Sequence, residues 1–169
     1  MARAFHIHTV YSDGNCTVAQ ILQEAYVNNV TELAICDHDT LLGSMEASKS
    51  IEYQKSDRSK LKSISGIEIS AKNLTLDLPF LEKQNSLHIL GYNFDLQNSV
   101  FNEQISNIRL ENNRMCKTLI ENLSIDLINL KFSDIKLPQG QKYYFKTNVA
   151  EYLVEKGYAS DINTVLKNI

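Results

Sequence analysis

The first 36 residues fix more of this chain's fold than any other stretch, because they read as strand, helix and strand in succession. Residues 3–8 (Arg-Ala-Phe-His-Ile-His) alternate as a short strand. Alternation places Phe5 and Ile7 on one face and His6 and His8 on the other. Asp13-Gly14 marks a turn in the polar loop that follows. Thr17, with Gln20 three residues on, forms the capping box of a helix that carries Val18, Ile21, Leu22, Ala25 and Tyr26 on one side and ends near Asn28-Asn29. The run Glu32-Leu33-Ala34-Ile35-Cys36 is nearly all apolar, as a buried parallel strand requires. Asp37-His38-Asp39-Thr40 then lies at its carboxyl end.

The rest of the chain continues the α/β pattern and then changes character. Gly43 to about Gln54 reads as a second helix, and Tyr53 to Lys60 as polar loop. Residues 62–70 alternate as a third strand, and 74–81 are either strand or extended loop before Pro79. Ser86 to Tyr92 reads as a further strand. After Asp95, Phe101, Ile105, Ile108, Met115 and Leu119 recur at helical spacing, so about 99–123 is a long amphipathic helix. Thr147 is placed as the cap of another helix ending at Gly157, and Ser160 as the cap of a last short one. The organisation expected is an N-terminal part over 1–97 and a helical segment over 98–169.

The chemistry-bearing residues fall on the first part. All four histidines, His6, His8, His38 and His88, lie on or next to a strand, and Asp13 and Glu68 join them. Functional sites of parallel sheets gather at the carboxyl ends of strands. Read one at a time these residues are unremarkable. A His-x-His is a weak signal, Asp-Gly is usually a turn, and periodicity alone makes Glu68 a solvated strand residue. Their combination on one βα series points to a shared site. Imidazole and carboxylate together suit Mn, Fe or Zn, and six such groups exceed the needs of one four-coordinate ion. Two or three divalent ions are therefore expected, with Glu68 as a bridge. Clustered ions activate water near neutral pH and neutralise charge on a phosphate ester. Asp37 and Asp39 are expected to handle protons or orient ligating imidazoles. Cys36 as a nucleophile with His38 as its base lacks an orienting third group, and a small buried thiol is the plainer reading.

Composition limits the alternatives. The chain of 169 residues has 43% hydrophobic and 22% charged residues and a net charge of -3. That argues against a nucleic-acid groove but does not exclude a small phosphorylated, nucleotide-sized substrate, whose charge a bound metal can meet. Three cysteines without a C-x-x-C spacing fit a reducing compartment rather than a disulfide framework. The start, Met-Ala-Arg-Ala-Phe-His, has no apolar signal core, and no run of ~18 apolar residues occurs. A cytoplasmic protein with no membrane association is expected.

These segments resemble the PHP family, the polymerase and histidinol phosphatase superfamily of metal-dependent phosphoesterases. The matching stretches are Phe5-His6-Ile7-His8-Thr9 with Ser12-Asp13-Gly14, Cys36-Asp37-His38-Asp39-Thr40 with Gly43, Gly66-Ile67-Glu68-Ile69-Ser70, and His88-Ile89-Leu90-Gly91-Tyr92. The branch most similar is that of small bacterial enzymes releasing phosphate from nucleoside monophosphates or 3',5'-bisphosphates. The resemblance implies a distorted (β/α)7 barrel holding up to three divalent ions, and metal ligands at His6, His8, Asp13, His38, Glu68 and His88. It also implies that the stretch from Arg109 to Gly157 is a helical insertion, and that Arg109 and Arg114 reach a substrate phosphate unless they are ordinary surface charges.

Ala4 stands where the family carries an acid, and Cys36 where it carries threonine. The later family motifs have no counterpart, since no histidine follows His88. The expectation is thus about half of such a barrel, completed by a C-terminal half or by self-association. The rival readings are a metal-binding or regulatory remnant without turnover, a nuclease or proofreading module of the same family, and a helical interaction module in residues 99–169.

Overall fold

A computed structural model describes residues 2–53, 61–72, 86–126, 131–137 and 143–168. Its elements in chain order are β1 (Ala2–Ile7), α1 (Val18–Val27), β2 (Val30–Ile35), α2 (Leu42–Tyr53), β3 (Lys62–Lys72) and β4 (Ser86–Tyr92). There follow α3 (Ser99–Asp126), a single 3-10 turn (Phe132–Asp134), α4 (Lys146–Glu155) and α5 (Ile162–Asn168). The chain divides into two compact units, Met1–Ile105 and Ser106–Ile169. The expected stretch 74–81 lies outside the described residues, as does most of the loop 53–60. Among the described residues no helix is long and apolar enough to cross a membrane.

The first unit is built on a four-stranded sheet in the order β1-β2-β3-β4. β1 and β3 run parallel to β2, as the two βα crossovers dictate. β4 runs antiparallel to β3, pairing Ser70 with His88 and Glu68 with Leu90. This corrects the expectation of a uniform parallel series with every ligand at a carboxyl end. His88 instead reaches the site from a returning strand.

Helix α1 starts as its sequence requires. The Thr17 side chain accepts from the Gln20 amide, and the Gln20 side chain accepts from the Thr17 amide at 2.8 Å. Val18, Leu22 and Ala25 are buried from α1 and pack with Leu33, Ile35, Ala47 and Leu61. Leu33, Ala34, Ile35 and Cys36 are fully buried, which explains their near-continuous apolar character.

β1 departs from simple alternation. Ala4 pairs with Leu33 and Ile7 with Ile35, so β1 takes three steps where β2 takes two. Such a bulge re-aims side chains. Ala4 and Ile7, not Phe5 and Ile7, therefore pack on the α1 core, while Phe5 stays exposed.

The second unit has its own core of Ile120, Ile135, Val149, Ala150, Leu153 and Val165. Two caps differ from expectation. The α4 N-cap is Phe145, whose amide donates to Asn148 Oδ1 at 2.9 Å, in place of Thr147. At α5 it is Asp161, not Ser160, that accepts from the Thr164 amide, at 2.9 Å. A carboxylate is the stronger acceptor for a helix's first amides, which explains the choice of Asp161. Gly157 does close α4, with φ of 79°.

Candidate metal centre

Six side chains from four places in the sequence meet over the sheet of the first unit. Glu68 is 5% exposed, and its carboxylate is the junction. Oε2 lies 2.7 Å from His6 Nε2 and 2.9 Å from His8 Nε2, and Oε1 lies 2.8 Å from His88 Nδ1. His8 Nδ1 faces Asp13 Oδ1 at 2.8 Å, and the other Asp13 oxygen is 3.6 Å from His38 Nε2. The rings form a continuous run, with centroids 4.9 Å apart for His6 and His8, 4.7 Å for His8 and His38, and 4.8 Å for His38 and His88.

Local structure accounts for each placement. His6 lies within the irregular stretch of β1 between Ala4 and Ile7, and both it and His8 reach the same Glu68 oxygen. Asp39 adopts φ of 51°, and its amide donates to the Glu68 carbonyl at 2.9 Å. Asp39 Oδ1 in turn accepts from the Ser70 amide at 2.9 Å, so the turn at 37–39 is stitched to β3 at Glu68 and Ser70. A bridge between His38 and Glu68 continues the pairing beyond β2.

Asp37 is 1% exposed and spends both oxygens on the loop after β1. Oδ1 accepts from the Thr9 amide at 2.7 Å and the Ser12 hydroxyl at 2.6 Å, and Oδ2 from the Thr9 hydroxyl at 2.7 Å. Two glycines make room for this loop. A Cβ on Gly14 would collide with the His8 carbonyl, and one on Gly43 with the Asp37 carboxylate. Thr9 and Ser12, both buried, escaped the reading of the sequence as site residues. Hydroxyls flanking an Asp-Gly turn were the signal available for them.

The electrostatics follow the geometry. The hydrogen bond to Asp13 holds the His8 pKa above the ordinary imidazole value, against the opposing effect of burial. The same hydrogen bond lowers the Asp13 carboxyl. Burial lowers His38 and raises Asp37, the latter despite the donors from Ser12 and Thr9. For Glu68, burial acts upward but is outweighed by the His6 hydrogen bond and the imidazole charges, so its pKa falls.

Three overlapping sets of donors have their ligand atoms within 4.8 Å of one another: His6, His8 and Glu68; His8, Asp13 and His38; His38, Glu68 and His88. The residues present fit a metal. His6 Nε2, His8 Nε2 and Glu68 Oε2 all converge, with the two nitrogens 2.9 Å apart. One proton bridges only two of these atoms, whereas a cation faces all three. His38 Nδ1 is buried with no hydrogen-bond partner among the described residues.

The PHP domain model matches residues 4–165. The chain belongs to the PHP domain family. The 5'-3' exoribonuclease Rnm of Escherichia coli is 28% identical over 163 residues, which are 96% of this chain and 51% of that protein. The phosphoribosyl 1,2-cyclic phosphate 1,2-diphosphodiesterase of Eggerthella lenta is 32% identical over 91 residues, 54% of this chain and 30% of that protein. A solved structure from Bifidobacterium adolescentis, assigned as a metal-dependent phosphoesterase, matches with a TM-score of 0.76 at 26% identity. The match covers 98% of this chain and 54% of that one. The chain thus spans about half the length of these relatives, or less. The expected partial PHP barrel matches this neighbour, with the curled four-stranded sheet as its described portion.

The remaining sequence candidates belong to none of the three donor sets. Arg109 is buried in the second unit, its guanidinium 4.7 Å from the Tyr143 ring centroid and 5.5 Å from that of Phe145. Arg114 is a surface residue 3.8 Å from Glu111. All three cysteines are free; Cys36 and Cys116 are buried and Cys16 is exposed.

Proposed function

We propose that this chain carries the metal centre of a phosphoesterase that hydrolyses phosphate esters of nucleotide-like molecules. The observation that supports it best is the convergence of four imidazoles, Asp13 and a buried Glu68 in three overlapping donor sets. The PHP relatives add the substrate class, since both curated names describe cleavage of a phosphate ester on ribose.

His6, His8, Asp13, His38, Glu68 and His88 would hold the ions. Divalent ions bound there supply a Lewis acid for a phosphoryl oxygen and water acidified toward neutral pH. A neutral imidazole offers one lone pair to one ion, whereas a carboxylate can serve two. On that accounting the six described residues give two ions seven bonds with Glu68 shared, four to one and three to the other. A third ion would need donors beyond them. The donors are nitrogen and oxygen only, which favours manganese, iron or zinc. Asp37 and Asp39 position the loops that present Asp13, His8 and His38. In this reading they touch neither substrate nor water.

The second reading is a metal-binding remnant without turnover. The side chains of His6 and His88 are 49% and 47% exposed, which leaves the centre open on their side. Hydrolysis assays with Mn²⁺ separate the two readings. Nucleoside 3',5'-bisphosphate and a short oligoribonucleotide are offered to the wild type and to His8→Ala. Phosphate release by the wild type alone is the expected result. Metal uptake with no release from either substrate would leave the remnant. Release from the oligoribonucleotide only would move the substrate to RNA.

A further inference from the structure

The bulge of β1 has a fastening that the metal ligands do not supply. The Phe5 carbonyl lies within the irregular stretch between Ala4 and Ile7, one residue before His6. Two side chains donate to it. The Tyr92 hydroxyl does so at 2.6 Å and the Cys36 thiol at 3.3 Å. Tyr92 belongs to β4 and Phe5 to β1, the two outer strands of the sheet, so this contact spans its curled face. The Tyr92 ring also meets the Phe5 ring edge-on, with centroids 6.5 Å apart.

We propose that Tyr92, assisted by Cys36, is a positioning residue of the metal centre: its hydroxyl pins the Phe5 carbonyl and so holds the bulge that turns His6 toward Glu68. His6 needs such help more than its neighbours do. Its side chain is half exposed, so packing constrains the ring little. His8 is oriented through its other nitrogen by Asp13, and His38 lies in a turn stitched to β3. The aim of His6 therefore depends on the backbone at Phe5. Groups that orient a ligand typically change metal affinity by about 10–100-fold when removed.

This inference rests on the metal-centre reading, and one experiment separates their failures. The chelator-stripped full chain and its Tyr92→Phe variant are titrated with Mn²⁺ by calorimetry, with metal per chain counted by elemental analysis. Tyr92→Phe keeps the ring and deletes only the donor. The expected result is one class of site weakened roughly 10–100-fold and the other unchanged. In the metal-free protein the His6 imidazole ¹⁵N resonances should shift while those of His38 stay. A variant that binds as the wild type does, with His6 unmoved, overturns the proposal. If Tyr92→Phe fails to fold, Cys36→Ala removes the second donor and should weaken the same site by a smaller factor. Both sites intact in Cys36→Ala would then overturn it. A wild type that takes up no Mn²⁺ overturns the reading of the centre, and this proposal with it.

Discussion

Glu68 and His88 are diagonal neighbours across the antiparallel β3–β4 pair, Glu68 opposite Leu90 and His88 opposite Ser70, yet Oε1 and Nδ1 come within 2.8 Å. Diagonal positions share one face of a sheet and lie within reach of long side chains. β4 must run antiparallel to β3 in this register to deliver the imidazole. Glu68 is thereby shared between a candidate donor set led from β1 and another completed from β4.

That sharing makes Glu68 the most consequential single site. Glu68→Gln preserves shape, removes the charge and offers one oxygen in place of two. We expect Mn²⁺ affinity to fall by at least about 10–100-fold, the loss seen even for groups that only orient ligands. Both classes of site should weaken in calorimetry. Asp13→Asn, at a carboxylate in only one of the three sets, should spare one class. Equal effects from the two variants would show that Glu68 is not shared.

In the metal-free protein the His8–Asp13 pair should give a signed pH dependence. The His8 pKa is raised, so its contribution is complete below the unfolded value of about 6.5 and is lost as pH rises through the folded value. The Asp13 pKa is lowered, so its contribution is complete above about 3.9 and is lost as pH falls through the folded value. The stability difference between wild type and Asp13→Asn should therefore peak between roughly pH 4 and 6.5. Urea unfolding in the presence of chelator measures it. His38, lowered by burial, should titrate below His8 in ¹⁵N spectra, and the reverse order would contradict the geometry.

Asp37 should act through the loop it holds. Three donors from Thr9 and Ser12 meet its carboxylate in a buried setting. The amide of Asp37→Asn accepts through one oxygen only, so at least one buried donor is stranded, at about 1–3 kcal/mol. Gly43→Ala thrusts a methyl group at the same carboxylate, and overpacking of this kind costs about 1–3 kcal/mol. The two substitutions strike one contact, so the double variant should cost less than the sum of the singles. Strict additivity in urea midpoints would argue against a shared clamp.

How much of this was legible in the sequence varied with the range of the interaction. The Thr17–Gln20 capping box, the buried run at Leu33–Cys36 and the extent of α3 depend on near neighbours, and they stand as the pattern indicated. The six candidate ligands were found by residue type and position at strand ends, and the fold brings all six together. The β1 bulge was not legible. Alternation of Phe5 and Ile7 looked regular, and only pairing with β2 shows the extra residue. Nor was the reversal of β4, since a strand's direction is set by the connection before it, here residues 73–85 outside the described set. The burial of Glu68 contradicts strand periodicity for a physical reason. Its surroundings are imidazoles rather than aliphatic side chains, so its burial left no apolar signature in the sequence.

Metal loading should stabilise the chain in proportion to occupancy. A ligand that binds only the folded state contributes about 2.7 kcal/mol at one hundred times its Kd. For a chain of this size that corresponds to a Tm rise of roughly 5–11 °C for a single site. Chelator should reverse the rise, and His8→Ala should blunt it, because His8 belongs to two of the three ligand sets. The rise should also grow between about pH 5.5 and 7.5, since each imidazole must shed its proton to bind. No thiolate belongs to any of the three sets, and the exposed cysteine is Cys16, so blocking Cys16 with a thiol-specific reagent should leave the metal-induced shift intact. A shift abolished by such reagents at neutral pH would place sulfur among the ligands and contradict the nitrogen and oxygen set described.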